Sequence, residues 1–354
     1  MTKHTIKGGL SRRGLMKTSA AAAIAIGMPA IARRANAAEP LYVNTWGGAW
    51  QENAEKFLFK PFTAKTGIEI KTISPVSYAK LSAQARTRTY DFDITTVSGS
   101  QAVQAKAENL IDAVDQRIID IPALPAGSVF HDGVASHCYS TNIAYNTNLV
   151  RTPPQSWKDV WDVAKIPGPR SLPRSATDFV PVALMADGVP MSQVYPPDVE
   201  RLFRSLDKIK AHVPVWWTQG PQSVQLLRDG EVHMTAIWHS TAQFAINGGA
   251  PIKLVWNQAK INRVYWVVSR GTPRAEAAWQ FIKFATAPEN LAGFCTGNNL
   301  SPLYTKAFEY MDGQTAMNMP TYPDNYKLAV EENAEAIGPM MTDIIKRFNT
   351  WIAT

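Results

Sequence analysis

The pattern of apolar and polar positions in residues 41–110 alternates between short buried strands and amphipathic helices. Three apolar runs predict strands: Leu41–Trp46, Ile68–Ile73 and Phe92–Val97. Apolar residues recur at helical spacing after each run, which predicts helices over residues 50–66, 78–89 and 102–110. The first helix is expected to end at Gly67, because glycine readily adopts the left-handed conformation that terminates many helices. Strands and helices in this order predict a parallel sheet covered on both faces.

A second region of the same kind follows an irregular stretch. It starts with the long apolar segment Val134–Tyr145, and a one-sided apolar helix begins near Asp198. Further strands are predicted at Val213–Trp217, Val232–Ile237, Ile252–Trp256 and Arg263–Val268, and the chain is mainly helical from Arg274 onward. The pattern predicts an α/β protein of two lobes, each a mainly parallel sheet flanked by helices. Residues 38–138 with 267–312 form the first predicted lobe, and residues 139–266 with 313–354 form the second.

Ligands of open parallel sheets bind beyond the carboxyl ends of the strands. That rule selects four segments: Trp46-Gly47-Gly48, Ser98-Gly99-Ser100, Trp238-His239-Ser240 and the neighbourhood of Trp266. The glycine and serine turns expose backbone N–H groups near predicted helix starts, which suits an anion. Ordinary strand-to-helix turns have the same composition, so both interpretations of these turns stay open.

The net charge of +7 does not belong to the predicted lobes. Residues 1–37 hold seven of the 36 Lys and Arg residues and no acidic residue. The rest of the chain therefore has 29 basic residues against 29 acidic ones. A chain without net positive charge has no general affinity for phosphate backbones, so we expect no nucleic-acid partner.

Residues 1–37 are predicted to be a secretion signal. The segment Ser11–Lys17 contains paired arginines, Arg12 and Arg13, and resembles the bacterial twin-arginine export motif. The apolar run Ala20–Ile31 is too short to span a bilayer. Small residues then offer a cleavage site between Ala37 and Ala38. We expect export to the periplasm by the twin-arginine machinery; the alternative for this segment is a disordered basic tail.

Motifs for catalysis or metal binding do not occur in the sequence. There is no Gly-x-Ser-x-Gly, no phosphate-binding Gly-x-x-x-x-Gly-Lys and no His-Glu-x-x-His, and the histidines lack the Cys or carboxylate company of metal sites. We expect neither a catalytic site nor a cofactor. Because cofactor enzymes also use twin-arginine export, an exported α/β enzyme is the alternative.

Cys138 and Cys295 are expected to be separate buried thiols, although export also permits a disulfide.

Several segments, taken in order, resemble the spermidine/putrescine-type family of ABC-transporter substrate-binding proteins. They are Leu41–Trp46, Tyr90–Ile94, Asn142–Asn146, Trp157–Trp161, Gly230–Trp238 and Pro251–Trp256. The resemblance covers most of the chain after residue 40. It implies the two-lobe periplasmic-binding-protein fold (type II), hinge strands between the lobes, and a ligand enclosed when the lobes close. It also implies an inner-membrane ABC permease as partner.

The resemblance implies a cleft lined by aromatic rings and acids. Trp46, Trp238 and Trp266 correspond to cleft tryptophans of the family, and Asp178 falls where the family keeps an acid. The family's other acids are replaced, for example by Gly47-Gly48 and by Ser175. A di- or tri-cation would be poorly compensated in such a cleft, because a buried ammonium needs an anion or a π face.

We therefore expect a small amine-bearing or zwitterionic solute: polyamine-like, amino-acid-like or opine-like. Its ammonium would face Asp178 and the tryptophans, and its anionic end the glycine and serine turns. Asp178 has an alternative role as a helix cap. The candidate ligand-binding residues are Trp46, Gly47, Gly48, Ser98, Ser100, Asp178, Trp238, His239 and Trp266. We expect the exported protein to be a monomer.

Overall fold

The structure is a computed structural model that describes residues 39–354. The predicted signal segment and its cleavage site lie outside the described residues. The strands are β1 Leu41–Asn44, β2 Ile70–Ile73, β3 Ile94–Ser98, β4 Val129–Phe130, β5 Gly133–Asn146, β6 Arg170–Pro173, β7 Val215–Trp217, β8 Met234–Trp238, β9 Ile252–Val268 and β10 Val330–Glu331.

Fourteen α-helices are found in the same residues. They are α1 Gly48–Ala54, α2 Lys60–Thr66, α3 Tyr78–Thr87, α4 Gly99–Ala107, α5 Trp157–Trp161, α6 Ala176–Ala186, α7 Val199–Lys210, α8 Gly220–Arg228, α9 His239–Asn247, α10 Ala275–Ala285, α11 Pro288–Asn298, α12 Gly313–Met317, α13 Pro323–Tyr326 and α14 Ala334–Ala353. A π-helical turn, Glu55–Phe59, joins α1 to α2. Helix α2 ends at Gly67 with φ 76°, as its glycine predicts.

The strands form one sheet in the order β2-β1-β3-β9-β5-β8-β6-β7, with β10 beside β9 and β4 beside β5. Strand β1 is parallel to β2 and β3, and β6 is parallel to β7 and β8. The two long strands β5 and β9 lie between these parallel groups and are antiparallel to each other and to their neighbours β8 and β3. The two parallel halves are therefore connected through β5 and β9.

Each half of the sheet has its own hydrophobic core. We call the half around β1–β3 lobe 1; its core includes Phe62, Trp266 and Phe281. We call the half around β6–β8 lobe 2; its core includes Phe179 and Phe203. Helices cover both faces of each half, since apolar side chains of parallel strands point to both sides.

One strand prediction was wrong. The segments Ile252–Trp256 and Arg263–Val268 were expected to be two strands, but they belong to the single strand β9. The register against β5 shifts between Thr141 and Ile143, where β9 carries extra residues. Gln258 takes a positive φ of 63° there. Such a bulge lets the strand bend and continue where the polar residues between the two apolar runs predict a loop.

The segment that contains α12 and α13 contacts lobe 1. Ser301 and Thr321 have hydroxyl oxygens 2.6 Å apart, and the Phe308 and Tyr322 rings have centroids 5.8 Å apart. The lobe 2 core takes up the chain again from Val330 and continues through α14. These contacts favour a lobe division near residue 329 over the predicted division at 312; both divisions stay predictions.

Cys138 and Cys295 are both buried free thiols, which confirms the favoured prediction. Burial raises the pKa of the Cys138 thiol to about 12, so it stays protonated at neutral pH. None of the helices within residues 39–354 has the length and apolar character needed to cross a membrane.

Candidate functional site

A cleft of about 650 Å³ lies between the two lobes at the carboxyl ends of their parallel strands. Lobe 1 contributes Trp46, Tyr78, Ser98 and Ser100, lobe 2 contributes Thr177, and the long strands contribute Tyr139 and Val264. Helices α4 and α14 close one side of it. Every lining side chain among residues 39–354 is uncharged.

Trp46 lies at the mouth of the cleft, directly after β1. Its ring is 55% exposed, and its Nε1 donates to the Thr96 hydroxyl at 3.2 Å. The hydrogen bond holds the exposed indole against the middle of β3. Gly47 and Gly48 follow with φ of 77° and 50°, values that favour glycine. They form the turn into α1 and flank the cleft without lining it.

Ser98 and Ser100 form the other part of the lobe 1 wall. Ser98 caps α4 in a capping box: its hydroxyl accepts from the Gln101 N–H, and the Gln101 side chain accepts from the Ser98 N–H. The Ser98 and Ser100 hydroxyl oxygens lie 3.1 Å apart. The hydroxyl of Tyr78 is buried and has no hydrogen-bond partner in the described chain. Burial raises the pKa of Tyr78 to about 12, so its O–H is retained as a donor.

Asp178 lies in lobe 2, in the first turn of α6 and next to the cleft residue Thr177. The residue is 5% exposed, and its Oδ1 accepts a hydrogen bond of 2.9 Å from the Thr141 hydroxyl on β5. Ser175, not Asp178, occupies the N-cap position, and its side chain makes no cap hydrogen bond. The helix-cap alternative for Asp178 is therefore wrong, and its carboxylate is held beside the cleft floor.

Trp238 ends β8 beside Tyr139. Its ring meets those of Tyr139 and Trp217 edge-on, at centroid distances of 6.5 and 5.2 Å. Trp238 Nε1 is buried and unpaired within residues 39–354. Burial raises the pKa of Tyr139, and the negative charges of Asp178 and Glu332 raise it further. The aromatic rings and the carboxylate thus share one region.

His239 is fully buried at the start of α9, on the flank of the cleft rather than in its lining. Its Nδ1 accepts from the Ser140 N–H at 3.1 Å, which places the proton of the neutral ring on Nε2. Nε2 faces the backbone of Asn299 in lobe 1 but has no partner of hydrogen-bond geometry in the described residues. Burial lowers the pKa of His239 to about 3, so the ring is neutral.

The structure does not place Trp266 in the cleft. Its side chain is 1% exposed and packs edge-on against Trp50 and Phe281 in the lobe 1 core. The physical reason is strand direction. Strand β9 runs antiparallel to β3. Trp266 on β9 therefore lies opposite Thr96, in the middle of β3, and not beside the carboxyl end of β3. The expectation of a ligand-contacting Trp266 is corrected to a core packing role in this structure.

Residues 58–321 match the family model of the bacterial extracellular solute-binding proteins. The chain belongs to this family. A gamma-aminobutyric acid-binding protein of Pseudomonas aeruginosa is 30% identical over 322 residues, 89% of this chain and 91% of the relative. The spermidine/putrescine-binding periplasmic protein of Escherichia coli is 25% identical over 286 residues, 76% of this chain and 78% of the relative.

A solved structure described as the Atu4243 GABA receptor superposes with a TM-score of 0.83 at 29% identity, covering 88% of this chain and 97% of that one. The similarity confirms the predicted periplasmic-binding-protein fold and the resemblance drawn from the sequence segments. As a member of this family the chain is a solute-binding protein, and the cleft between its lobes is the candidate solute site.

Behind the cleft of this solute-binding protein, a buried ion pair ties the long strands to lobe 2. Lys260 Nζ on β9 lies 2.7 Å from Glu332 Oε2 and donates to the Thr177 carbonyl at 2.7 Å. The side chains of Lys260 and Glu332 are 1% and 10% exposed. The two charges compensate each other, whereas the carboxylate of Asp178 is bonded to the Thr141 hydroxyl and has no ion-pair partner within residues 39–354.

Sequence reasoning missed several residues of the solute site. Tyr139 and Asn262 lie in mid-strand, and the rule that selected strand ends passed over them. Tyr78 begins a helix whose start was predicted but not its role in the lobe 1 wall. Helix α14 lines the cleft with Gly338, Pro339 and Met341, and only its helical character was predicted. Successive side chains of a strand point to opposite faces, so Asn262 lies on the same face of β9 as Trp266. Tyr139, which pairs with Asn262, lies on that face of the sheet as well.

Metal binding finds no support in the described part of this solute-binding protein. Residues 39–354 contain no cluster of three or more His, Cys, Asp or Glu side chains with the geometry to hold a metal ion. His131 pairs with Glu335 at 3.0 Å instead, and His233 bonds the Pro167 carbonyl.

Proposed function

We propose that this chain is the periplasmic receptor of an ABC importer for a small zwitterion with one ammonium group, such as an ω-amino acid. The observation that carries the proposal is the charge of the cleft: its lining is uncharged, and the carboxylate of Asp178 lies close to it at the lobe 2 end. One carboxylate compensates one ammonium, and a second buried ammonium without an anion would be strongly disfavoured.

The aromatic side chains support an ammonium at the lobe 2 end. Tyr139 and Trp238 lie close to Asp178, and a cation gains electrostatic attraction from the faces of such rings. The hydroxyls of Ser98, Ser100 and Tyr78 support a carboxylate at the lobe 1 end, because all three can donate hydrogen bonds there. The similar gamma-aminobutyric acid-binding protein is named for a solute with this charge pattern.

The mechanism is capture by closure of the lobes. Trp46 and Ser98 belong to lobe 1, Thr177 to lobe 2, and Tyr139 and Val264 to the strands between them. A solute that contacts both walls binds the closed arrangement better than the open one and shifts the population toward it. The closed receptor then docks, as a monomer, on the membrane permease, and no chemical step is assigned to this chain.

A ligand screen tests the proposal. We would measure thermal shifts of the chain from Ala38 onward with 4-aminobutanoate, other ω-amino acids, putrescine, spermidine and opine-like conjugates. A solute at about 100 times its Kd should stabilise the fold by roughly 2.7 kcal/mol. Stabilisation by polyamines and not by amino acids would contradict the proposed charge pattern. Visible absorbance of the purified protein, or turnover of a ligand, would favour the exported enzyme instead.

We propose twin-arginine export with cleavage after Ala37 for the same protein. Replacement of Arg12 and Arg13 by lysine should leave the precursor in the cytoplasm, while the matched replacement of Arg33 and Arg34 keeps export. The measurement is the fraction of mature protein in the periplasm together with its N-terminal sequence. Equal export of both variants would contradict this route.

A further inference from the structure

Asn262 is buried on β9 with an unused hydrogen-bond donor, two residues before Val264, which lines the cleft. The residue is 6% exposed, and its Nδ2 has no hydrogen-bond partner within residues 39–354. Buried amide groups are nearly always paired in native structures, because an unpaired one loses its hydration without replacement. A polar side chain kept unpaired at such a position calls for a partner that comes from outside the protein.

The strand register fixes where the side chain lies. Asn262 on β9 is directly opposite Tyr139 on β5, so the two side chains point to the same face of the sheet. Val264 lies two residues further along β9 on that same face. Tyr139 and Val264 both line the cleft. Lys260, two residues before Asn262, bonds the carbonyl of the cleft residue Thr177.

The neighbours of Asn262 leave its donor free. The Lys260 ammonium is already paired with Glu332, and Tyr139 offers a ring and a hydroxyl that stays protonated. The carboxylate of Asp178, which accepts a hydrogen bond from Thr141, acts on Tyr139 by its charge. Thr141 is two residues from Tyr139 on β5, which is roughly 7 Å along the strand. The donor of Asn262 and the carboxylate of Asp178 therefore both lie next to Tyr139, on the side of the sheet that faces the cleft.

We propose that Asn262 selects for a solute that carries a hydrogen-bond acceptor, such as a carboxylate, at the end opposite its ammonium. Its Nδ2 donates to that acceptor when the lobes close, and a diamine of the same length cannot accept. This inference deepens the proposed function and rests on it. Asn262 is in this role a specificity-determining residue at the solute site.

The experiment compares two four-carbon probes, 4-aminobutanoate and putrescine, by titration calorimetry on the mature chain. Asn262→Asp keeps the side-chain shape and turns the donor into a second carboxylate. We expect this variant to bind 4-aminobutanoate about 100-fold more weakly and putrescine more tightly than the original chain does. Asn262→Leu removes donor and acceptor together, and we expect about 10-fold weaker binding of 4-aminobutanoate with no gain for putrescine.

Asn148→Asp is the matched control, since it adds the same charge at an exposed position away from the cleft. It should leave the ratio of the two affinities unchanged. The ratio separates ligand contact from a structural role, because a loosened fold weakens both probes in parallel. Apo stability by urea unfolding should be kept or raised in Asn262→Leu, which no longer buries an unpaired donor.

The outcomes are distinguishable. If the original chain binds 4-aminobutanoate and the Asn262 variants keep its affinity ratio, this inference is wrong while the proposed function stands. If the original chain binds no ω-amino acid of the thermal-shift screen, or binds putrescine alone, the proposed function fails and the inference fails with it. A reversed ratio in Asn262→Asp, with the control unchanged, establishes the role.

Discussion

The two walls of the cleft differ in the chemistry that they offer a solute. The lobe 1 wall presents an exposed indole, Trp46, and the hydroxyls of Ser98, Ser100 and Tyr78. On the lobe 2 side the ring of Tyr139 lines the cleft, and the carboxylate of Asp178 and the ring of Trp238 lie next to lining residues. One wall offers hydrogen-bond donors and the other lies next to a carboxylate and aromatic rings, and this difference sets the direction in which the proposed zwitterion would bind.

The walls also differ in how much of the fold depends on them. Trp46 is exposed after the short strand β1, and Ser98 and Ser100 lie at the junction of β3 and α4. The carboxylate of Asp178 is held from β5, and the Lys260–Glu332 pair ties β9 to the start of α6 through the Thr177 carbonyl. Substitutions at lobe 1 positions should therefore change affinity, and those behind the lobe 2 wall should change stability as well.

The largest effect is expected from Lys260→Met. The change leaves Glu332 buried without its counter-charge, and loss of one partner of a buried pair typically costs about 3–5 kcal/mol of unfolding free energy. Urea unfolding of the apo chain measures it. The double variant Lys260→Met with Glu332→Gln should recover at least half of the loss, since no uncompensated charge is left. A single variant as stable as the original chain would show that the pair does not hold this wall.

The next effect concerns binding. Asp178→Asn removes the charge of the lobe 2 wall but keeps an oxygen that can accept from Thr141. We expect about 100-fold weaker binding of 4-aminobutanoate, which corresponds to about 2.7 kcal/mol, with little change in stability. Asp324→Asn, whose carboxylate is exposed and remote from the cleft, is the matched control. Unchanged affinity in Asp178→Asn would contradict the proposal that this carboxylate binds the ammonium of the solute.

Two neutral histidines next to the walls predict a pH dependence of stability. Burial lowers the pKa of His137 to about 3, with a smaller effect from His239, and burial lowers that of His239 to about 3. The unfolded chain binds these protons below about pH 6.5 and the folded chain does not. The stabilisation is thus complete above pH 6.5 and is lost as the pH falls toward 3. At pH 5 each histidine should contribute a loss of about 2 kcal/mol.

The measurement is the unfolding free energy in urea between pH 7.5 and pH 5. His239→Asn keeps an acceptor for the Ser140 N–H and should reduce the pH-dependent loss by about half. The control is His212→Gln at an exposed position of lobe 2, for which we expect the original slope. A loss that is the same in all three proteins would contradict the assignment to the buried pair.

Trp46 and Trp266 show what the sequence can and cannot predict about this site. Both tryptophans belong to apolar runs, and the alternation of strands and helices correctly predicted the α/β fold and put Trp46 at the carboxyl end of the first strand. Whether a strand is parallel or antiparallel depends on pairing across more than a hundred residues, so the direction of β9 was not available from local pattern. That direction places Trp266 in the lobe 1 core and Asn262 opposite the cleft residue Tyr139.

Helix α14 was hidden for a related reason. The sequence pattern predicts a helix for these residues. The face of α14 that lines the cleft, however, depends on how α14 packs against α4 of lobe 1. A Cβ on Gly99, the first residue of α4, would come within 2.9 Å of the Ala334 Cβ, so the two helix starts meet closely. Packing between segments that are distant in sequence is set by the tertiary structure and cannot be predicted from helix propensity.

The smallest effect is expected from Trp46→Ala. The ring is 55% exposed and makes one hydrogen bond, to Thr96, so the unfolding free energy should change by less than about 0.5 kcal/mol. Affinity for 4-aminobutanoate should fall about 5- to 10-fold, or roughly 1 kcal/mol, because the solute loses an aromatic surface at the mouth. Tyr310→Ala, at a 60% exposed ring outside the cleft, should change neither quantity. If Trp46→Ala lowered the unfolding free energy as strongly as Lys260→Met, the lobe 1 wall would contribute as much to stability as the lobe 2 side does. The two sides of the cleft would then no longer differ in their contributions to affinity and to stability, because both sides would be held by the same kind of buried contact.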